Sequence, residues 1–256
     1  RKQFYIDSGT PAKFYQEYMN QAKSPEDQIF SESDIVDNLY KGNLKFNEES
    51  NSWYITLDDG RKEYVNIYIG VDPASTLSVR NDYSVIMVIG VTADYDYYII
   101  EYWRQRVLPM DCAEEIFKIA ERYRPIKRIN IETISYQEML RDYIHKKSKR
   151  EGKFLPGIEQ GIKNYGNQKK KDRLFEGLQP MFKAGAVHLK KDMHEFIGEL
   201  LDFPKGSHDD TIDAFWLSTQ YAKGNKKAGK AKKVKNSKNE WERPRKKYNW
   251  VTGARY

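Results

Sequence analysis

Three acidic positions stand where oxygen donors alone could do chemistry. Asp72 closes the apolar run VNIYIGV and is followed by Pro73, so a buried strand would present a carboxylate at its carboxyl end. Glu132 ends a second apolar run, KRINIE. The third position is GSHDDTIDAFWL, where Ser207 is placed to cap a helix whose first turns hold Asp209, Asp210 and Asp213. Asp210 and Asp213 are three residues apart and share a helix face. Phe215, Trp216 and Leu217 make the rest of that helix too apolar for solvent. Ionised carboxylates beside buried sequence are costly unless paired or bound to a cation, and only Lys205 flanks these acids closely. Carboxylate oxygens without a His or Cys set suit Mg²⁺ or Mn²⁺ rather than Zn²⁺. Two such ions can activate a water and stabilise the leaving oxygen in phosphodiester cleavage.

Each acid alone has an ordinary explanation: a turn or cap for Asp72 and Glu132, the helix dipole for Asp209 and Asp210. The combination of two strand-end acids with an acid cluster at a helix start is far more specific. His208 precedes the acid pair and is assigned an auxiliary role. His145, His188 and His194 lack ligand spacing and read as structural, and Cys112 reads as a core residue. Asn167 to Arg173 (NQKKKDR) opens a helix with Lys169, Lys170, Lys171 and Arg173, a candidate phosphate contact reinforced by the helix N-terminus.

The elements that must position these groups follow from periodicity. A hairpin is expected from residues 52–57, a DDGR turn at 58–61, and a strand running to Val71. Two more strands, 82–91 and 97–107, are joined by the short TADYD link, which favours antiparallel pairing. Alternation then begins: a helix over 111–123, a strand over 127–131, a helix over 135–149 and a further strand at 154–159. A helix over 167–184 follows, which Pro180 should bend or end, then a short extended piece at 186–189. Helices over 192–202 and 209–221 complete the series. Three antiparallel strands followed by alternating strand and helix predict an α/β fold with a mixed sheet flanked by helices. Two short helical stretches, 12–22 and 31–39, fall in a lead-in segment, residues 1–45, ahead of the main domain at 46–221.

Composition bounds the function. The 256 residues carry 44 Lys plus Arg and 37 Asp plus Glu, a formal charge of +7, with 39% hydrophobic residues and 19 Tyr. That charge is uneven. Residues 222–256 hold 10 Lys and 3 Arg against 2 Glu, a net of +11, leaving 31 basic and 35 acidic side chains, a net of −4, on residues 1–221. The tail is too polar to offset the entropy of ordering itself and reads as either a solubilising tail or an arm for a polyanion. No apolar stretch approaches the ~20 residues of a membrane span. One cysteine excludes an internal disulfide framework and a Cys-rich zinc site. No phosphate loop or GxGxxG motif occurs, so a Walker-type ATP site is not expected.

IGVDPA (69–74), INIET (129–133) and FPKGSHDDTIDAF (203–215), in this order, resemble the nuclease domain of bacteriophage large terminase subunits. Residues 169–189 resemble the stretch before the last acidic motif of those proteins, and residues 13–30 the junction after their ATPase domain. The resemblance implies a ribonuclease H-like fold and a metal-dependent endonuclease cutting double-stranded DNA during packaging, in the host cytoplasm. It implies Asp72, Glu132 and Asp210 as core ligands of Mg²⁺ or Mn²⁺, Asp209 as a neighbouring ligand and Asp213 as a support or further ligand. Portal protein and small terminase subunit are the implied partners, with no membrane. The chain starts at Arg1 and has no motor motifs, as a fragment would. Holliday-junction resolvases and transposase-like nucleases share the acid geometry, and a non-catalytic DNA- or portal-binding module is the reading from another class.

Overall fold

The computed structural model describes residues 29–74, 83–133, 135–158, 162–163 and 170–224. The 12–22 stretch, Lys169 and residues 225–256 of the basic tail lie outside them.

Strands β1 (Asn43–Asn47), β2 (Ser52–Thr56) and β3 (Lys62–Asp72) form an antiparallel ladder. The β2–β3 turn closes by Leu57 N–H donating to Arg61 O at 2.9 Å, with Gly60 at φ +80° supplying the left-handed residue. β1 was not expected, because NLKFN offers only two apolar residues. β3 continues into the central sheet. It pairs antiparallel with β4 (Ser84–Val91), which pairs antiparallel with β5 (Tyr97–Gln105). On its other edge β3 takes β6 (Ile126–Thr133) in parallel, and β6 takes the two-residue β7 (Ile162–Lys163), also parallel. The central order is therefore β5-β4-β3-β6-β7, with β8 (Val187–His188) parallel at the β5 edge.

Among the described residues six helices flank this sheet. On one face lie α2 (Pro109–Arg122) and α3 (Ser135–Glu151). On the other lie α4 (Lys170–Lys183), α5 (His194–Asp202) and α6 (Asp210–Thr219), with the short α1 (Glu32–Val36) beside α4. β4 is buried along its whole length and divides its side chains: Val85, Met87, Ile89 and Val91 face α4–α6, while Ile86 and Val88 face α2. Cys112 is a buried free thiol within the α2 core. Among the described residues no helix is long and apolar enough to cross a membrane.

One of the local expectations is corrected. Residues 156–158 form a turn rather than part of a strand: Pro156 has no N–H to give a ladder and Gly157 sits at φ +89°. Pro180, where a bend or an end was expected, lies inside its helix. α4 runs on to Lys183, and Ala184 N–H still donates to Pro180 O at 3.0 Å.

Candidate metal centre

β3 and β6 run parallel with Val71 beside Ile131, so Asp72 and Glu132, the next residue of each strand, emerge side by side at the same end of the sheet. Two residues earlier on each strand are the groups that seat α6. A Cβ on Gly70 would lie 2.0 Å from Ala214 O and 2.4 Å from Ser218 N, so α6 rests directly on the bare β3 backbone. Asn130, buried in β6, donates from Nδ2 to Leu217 O (2.9 Å) and Gln220 O (2.8 Å), satisfying carbonyls at the end of α6. Its Oδ1 accepts from Arg128 Nε at 2.7 Å.

The start of α6 is held from a distance. Ser207 does not cap it. The N-cap residue is Asp209, which makes no side-chain cap bond. Glu199 of α5 does that work: its Oε2 accepts the Thr211 N–H at 2.9 Å and the Thr211 hydroxyl. Its Oε1 lies 3.1 Å from the Arg104 guanidinium of β5. With both ends fixed, α6 hangs Asp210 and Asp213 over Asp72 and Glu132.

Cations from α4 reach into this acid group. Lys170 Nζ lies 2.8 Å from Asp209 Oδ1 and also contacts the Asp213 carboxylate. Arg173 lies 3.5 Å from Asp213 Oδ1 and 3.9 Å from Glu132 Oε1, and its guanidinium stacks on Trp216 at 4.5 Å. Only 11% of its side chain is exposed, so its partners are carboxylates rather than solvent, whereas Lys171 is exposed. His208 Nδ1 is 3.7 Å from Asp210 Oδ2.

Crowding shows in the protonation equilibria. Loss of water raises Asp72 well above the ordinary carboxyl value, and the charges of Asp213 and Glu132 raise it further against the pull of Lys170. Asp213 is lifted by burial to about 6, with Lys170 opposing. Asp210 is raised by burial and then by Asp209. Burial alone would lower Lys170, but Asp213 and Asp209 outweigh it and raise its pKa.

Among the described residues no three His, Cys, Asp or Glu side chains already stand together at ligating distances. The side chains nevertheless fit a hard divalent ion. Asp210 Oδ2 is buried without a hydrogen-bond partner, and the surrounding donors are carboxylate oxygens whose mutual repulsion a cation would relieve. Lys170 meets part of that demand itself. A cavity of about 790 Å³ lies elsewhere, along β5 between Trp53, Trp103, Tyr123 and Lys190.

Four positioning residues, Gly70, Asn130, Glu199 and Arg104, carry weaker sequence signals than the acids. Gly70 inside a strand and Asn130 inside an apolar strand are recognisable signals of close approach and of a buried bond. Glu199 within the apolar EFIGELL run is a weaker one. Nothing local marks Arg104.

A mixed sheet of this order with acids at the ends of its first and fourth central strands and on a helix laid across them defines the ribonuclease H-like class. The family model described as the terminase RNase H-like domain matches residues 69–220. The chain belongs to that family. Solved structures similar to it include the large terminase nuclease of thermophilic phage G20c with bound zinc, at 18% identity and TM-score 0.47, covering 74% of this chain and 99% of that one. The same nuclease with bound magnesium gives 16% identity and TM-score 0.48 over 76% and 97%. The HK97 bacteriophage large terminase gives 15% and 0.42 over 60% of this chain and 39% of that one. No curated protein matches in sequence.

Proposed function

We propose that this chain is the nuclease module of a terminase large subunit, a divalent-metal-dependent endonuclease that cleaves double-stranded DNA during viral genome packaging. The observation that carries the reading is that β3, β6 and α6 bring Glu132, Asp210 and Asp213 near enough to Asp72 for their charges to raise it, with a buried Asp210 oxygen that has no hydrogen-bond partner.

Asp72, Glu132 and Asp210 would hold Mg²⁺ or Mn²⁺, with Asp209 and Asp213 beside them. The G20c nuclease structures with bound magnesium and cobalt support a divalent ion here. Bound divalent ions would supply Lewis acidity toward the scissile phosphate and lower the pKa of a water. The protein's part is positional. Glu199 and Asn130 hold α6, Gly70 sets its distance from β3, and Lys170 balances the acids until a cation replaces it. His208, partly exposed beside Asp210, is placed to pass a proton between the site and solvent. In the same reading residues 1–45 lead in from a motor domain and pack onto the nuclease from Ile29 onward, 46–221 form the rest of the nuclease, and 222–256 are a basic arm for DNA or portal. Portal protein and small terminase subunit are the partners, and the host cytoplasm the place of action.

Metal binding tests the reading without turnover. Mn²⁺ at millimolar concentration should raise Tm by mass action and bind with proton release. Asp210→Asn should abolish both effects while remaining folded. Equal Mn²⁺ stabilisation of wild type and variant would place the ion elsewhere.

A further inference from the structure

The acid centre repels a polyanion, so a nucleic acid reaching it must be met by cations on the rim. On the α4 flank much of the positive charge is already engaged: Lys170 and Arg173 are turned to the carboxylates, leaving Lys171 exposed. The opposite flank carries a second basic group. Asp72, Val85 and Arg104 form one row across β3, β4 and β5, so the chain leaving β5 does so at the same end of the sheet as the acids, about 10 Å away by strand spacing. There the Arg106 guanidinium lies 4.2 Å from the ring centroid of Tyr83, and Arg104 lies 3.4 Å from the same ring. His208, two residues before Asp210, meets that ring edge-on at 5.4 Å.

The two arginines differ in their charge balance. Arg104 is neutralised by Glu199 at 3.1 Å and is mostly enclosed. Arg106 is exposed, and among the described residues no carboxylate stands within ion-pair distance of it. Its head is nonetheless fixed by the ring, which lowers the ordering cost of using it. A guanidinium fork with free donors matches phosphate oxygens. With two guanidinium groups on its ring, Tyr83 is poorly placed to stack a base.

We propose that Arg106, seated on Tyr83 beside His208, is a phosphate-backbone contact for the DNA strand entering the carboxylate centre. The inference rests on the nuclease reading only for the identity of the polyanion.

The test is anisotropy of a fluorescein-labelled DNA duplex in EDTA over a NaCl series, for wild type, Arg106→Ala and Arg106→Lys, with Tm and Mn²⁺ affinity measured on each. Arg106→Ala should bind roughly fivefold more weakly and lose about one unit of the log–log salt slope. Arg106→Lys should recover most of the affinity, and Tm and Mn²⁺ affinity should be those of wild type. Unchanged affinity and slope in Arg106→Ala would overturn the contact, as would loss of DNA and Mn²⁺ affinity together. Plasmid cleavage by wild type in Mn²⁺, run in parallel, separates the two ideas. Cleavage with an unaffected Arg106→Ala sinks the contact alone. A binding defect in Arg106→Ala with no wild-type cleavage keeps the contact and sinks the nuclease.

Discussion

Asp213 is enclosed by Lys170, Arg173 and the α6–β3 seam, and its carboxyl is lifted by burial from the ordinary 3.8 to about 6. Between those values the folded chain holds more protons than the unfolded one, so this group lowers stability as pH rises from about 4 to about 6. Asp213→Asn removes the ionisation and nearly keeps the shape. Its stability relative to wild type should therefore increase across that window and level off above it, read by urea unfolding at successive pH values. A difference independent of pH would mean that Asp213 ionises as freely in the folded chain as in the unfolded one. The acids themselves were legible in sequence because each follows or opens an apolar element. Their surroundings were not: Lys170 reaches Asp209 from 39 positions away, and Glu199 holds Thr211, the residue after Asp210, from 12. No local pattern encodes such a meeting.

Helix α6 is the element on which the centre depends, and its seat is a missing side chain. Gly70→Ala would press a methyl group into the Ala214 carbonyl and Ser218 amide, both backbone, so the helix rather than a side chain must yield. The expected cost is about 1–3 kcal/mol of stability, with Mn²⁺ binding lost because Asp210 and Asp213 move with the helix. Gly90→Ala is the matched control. Its Cβ would meet the Val65 side chain at 3.0 Å on the face away from the acids, so Mn²⁺ affinity should survive. Calorimetric titration of both variants decides the matter. Equal loss would show general loosening rather than a displaced helix.

At the scale of the whole molecule, charge and attachment separate two functions. Tyr68 and Asn66 bind the backbone of Lys223, so the chain leaves α6 toward the start of the central part of β3. Asn66 is six residues from Asp72, about 20 Å along a strand. Residues 222–256 carry a net of +11 against −4 for the remainder. Removing residues 225–256 should weaken DNA binding and flatten its salt dependence while leaving Mn²⁺ affinity unchanged, as anisotropy and calorimetry would report. An unaltered salt slope would make the tail a bystander.

The meander, the switch to alternating strand and helix and the order of helices were all legible, because long amphipathic runs declare their period. The two-residue strands β7 and β8 and the polar β1 were not, since pairing partners rather than their own residues define them. Burial of Ile29, Phe30 and Ile35 against α4–α6 was equally silent in a short, acidic stretch.

The most direct test of the account is cleavage of supercoiled plasmid by wild type, Asp72→Asn and Asp210→Asn in Mn²⁺, Mg²⁺ or EDTA. Wild type should nick and linearise the plasmid only with a divalent ion, and both variants should be slower by more than about a hundredfold. Cutting that persists in EDTA, or in both variants, would contradict a metal-dependent centre at these carboxylates.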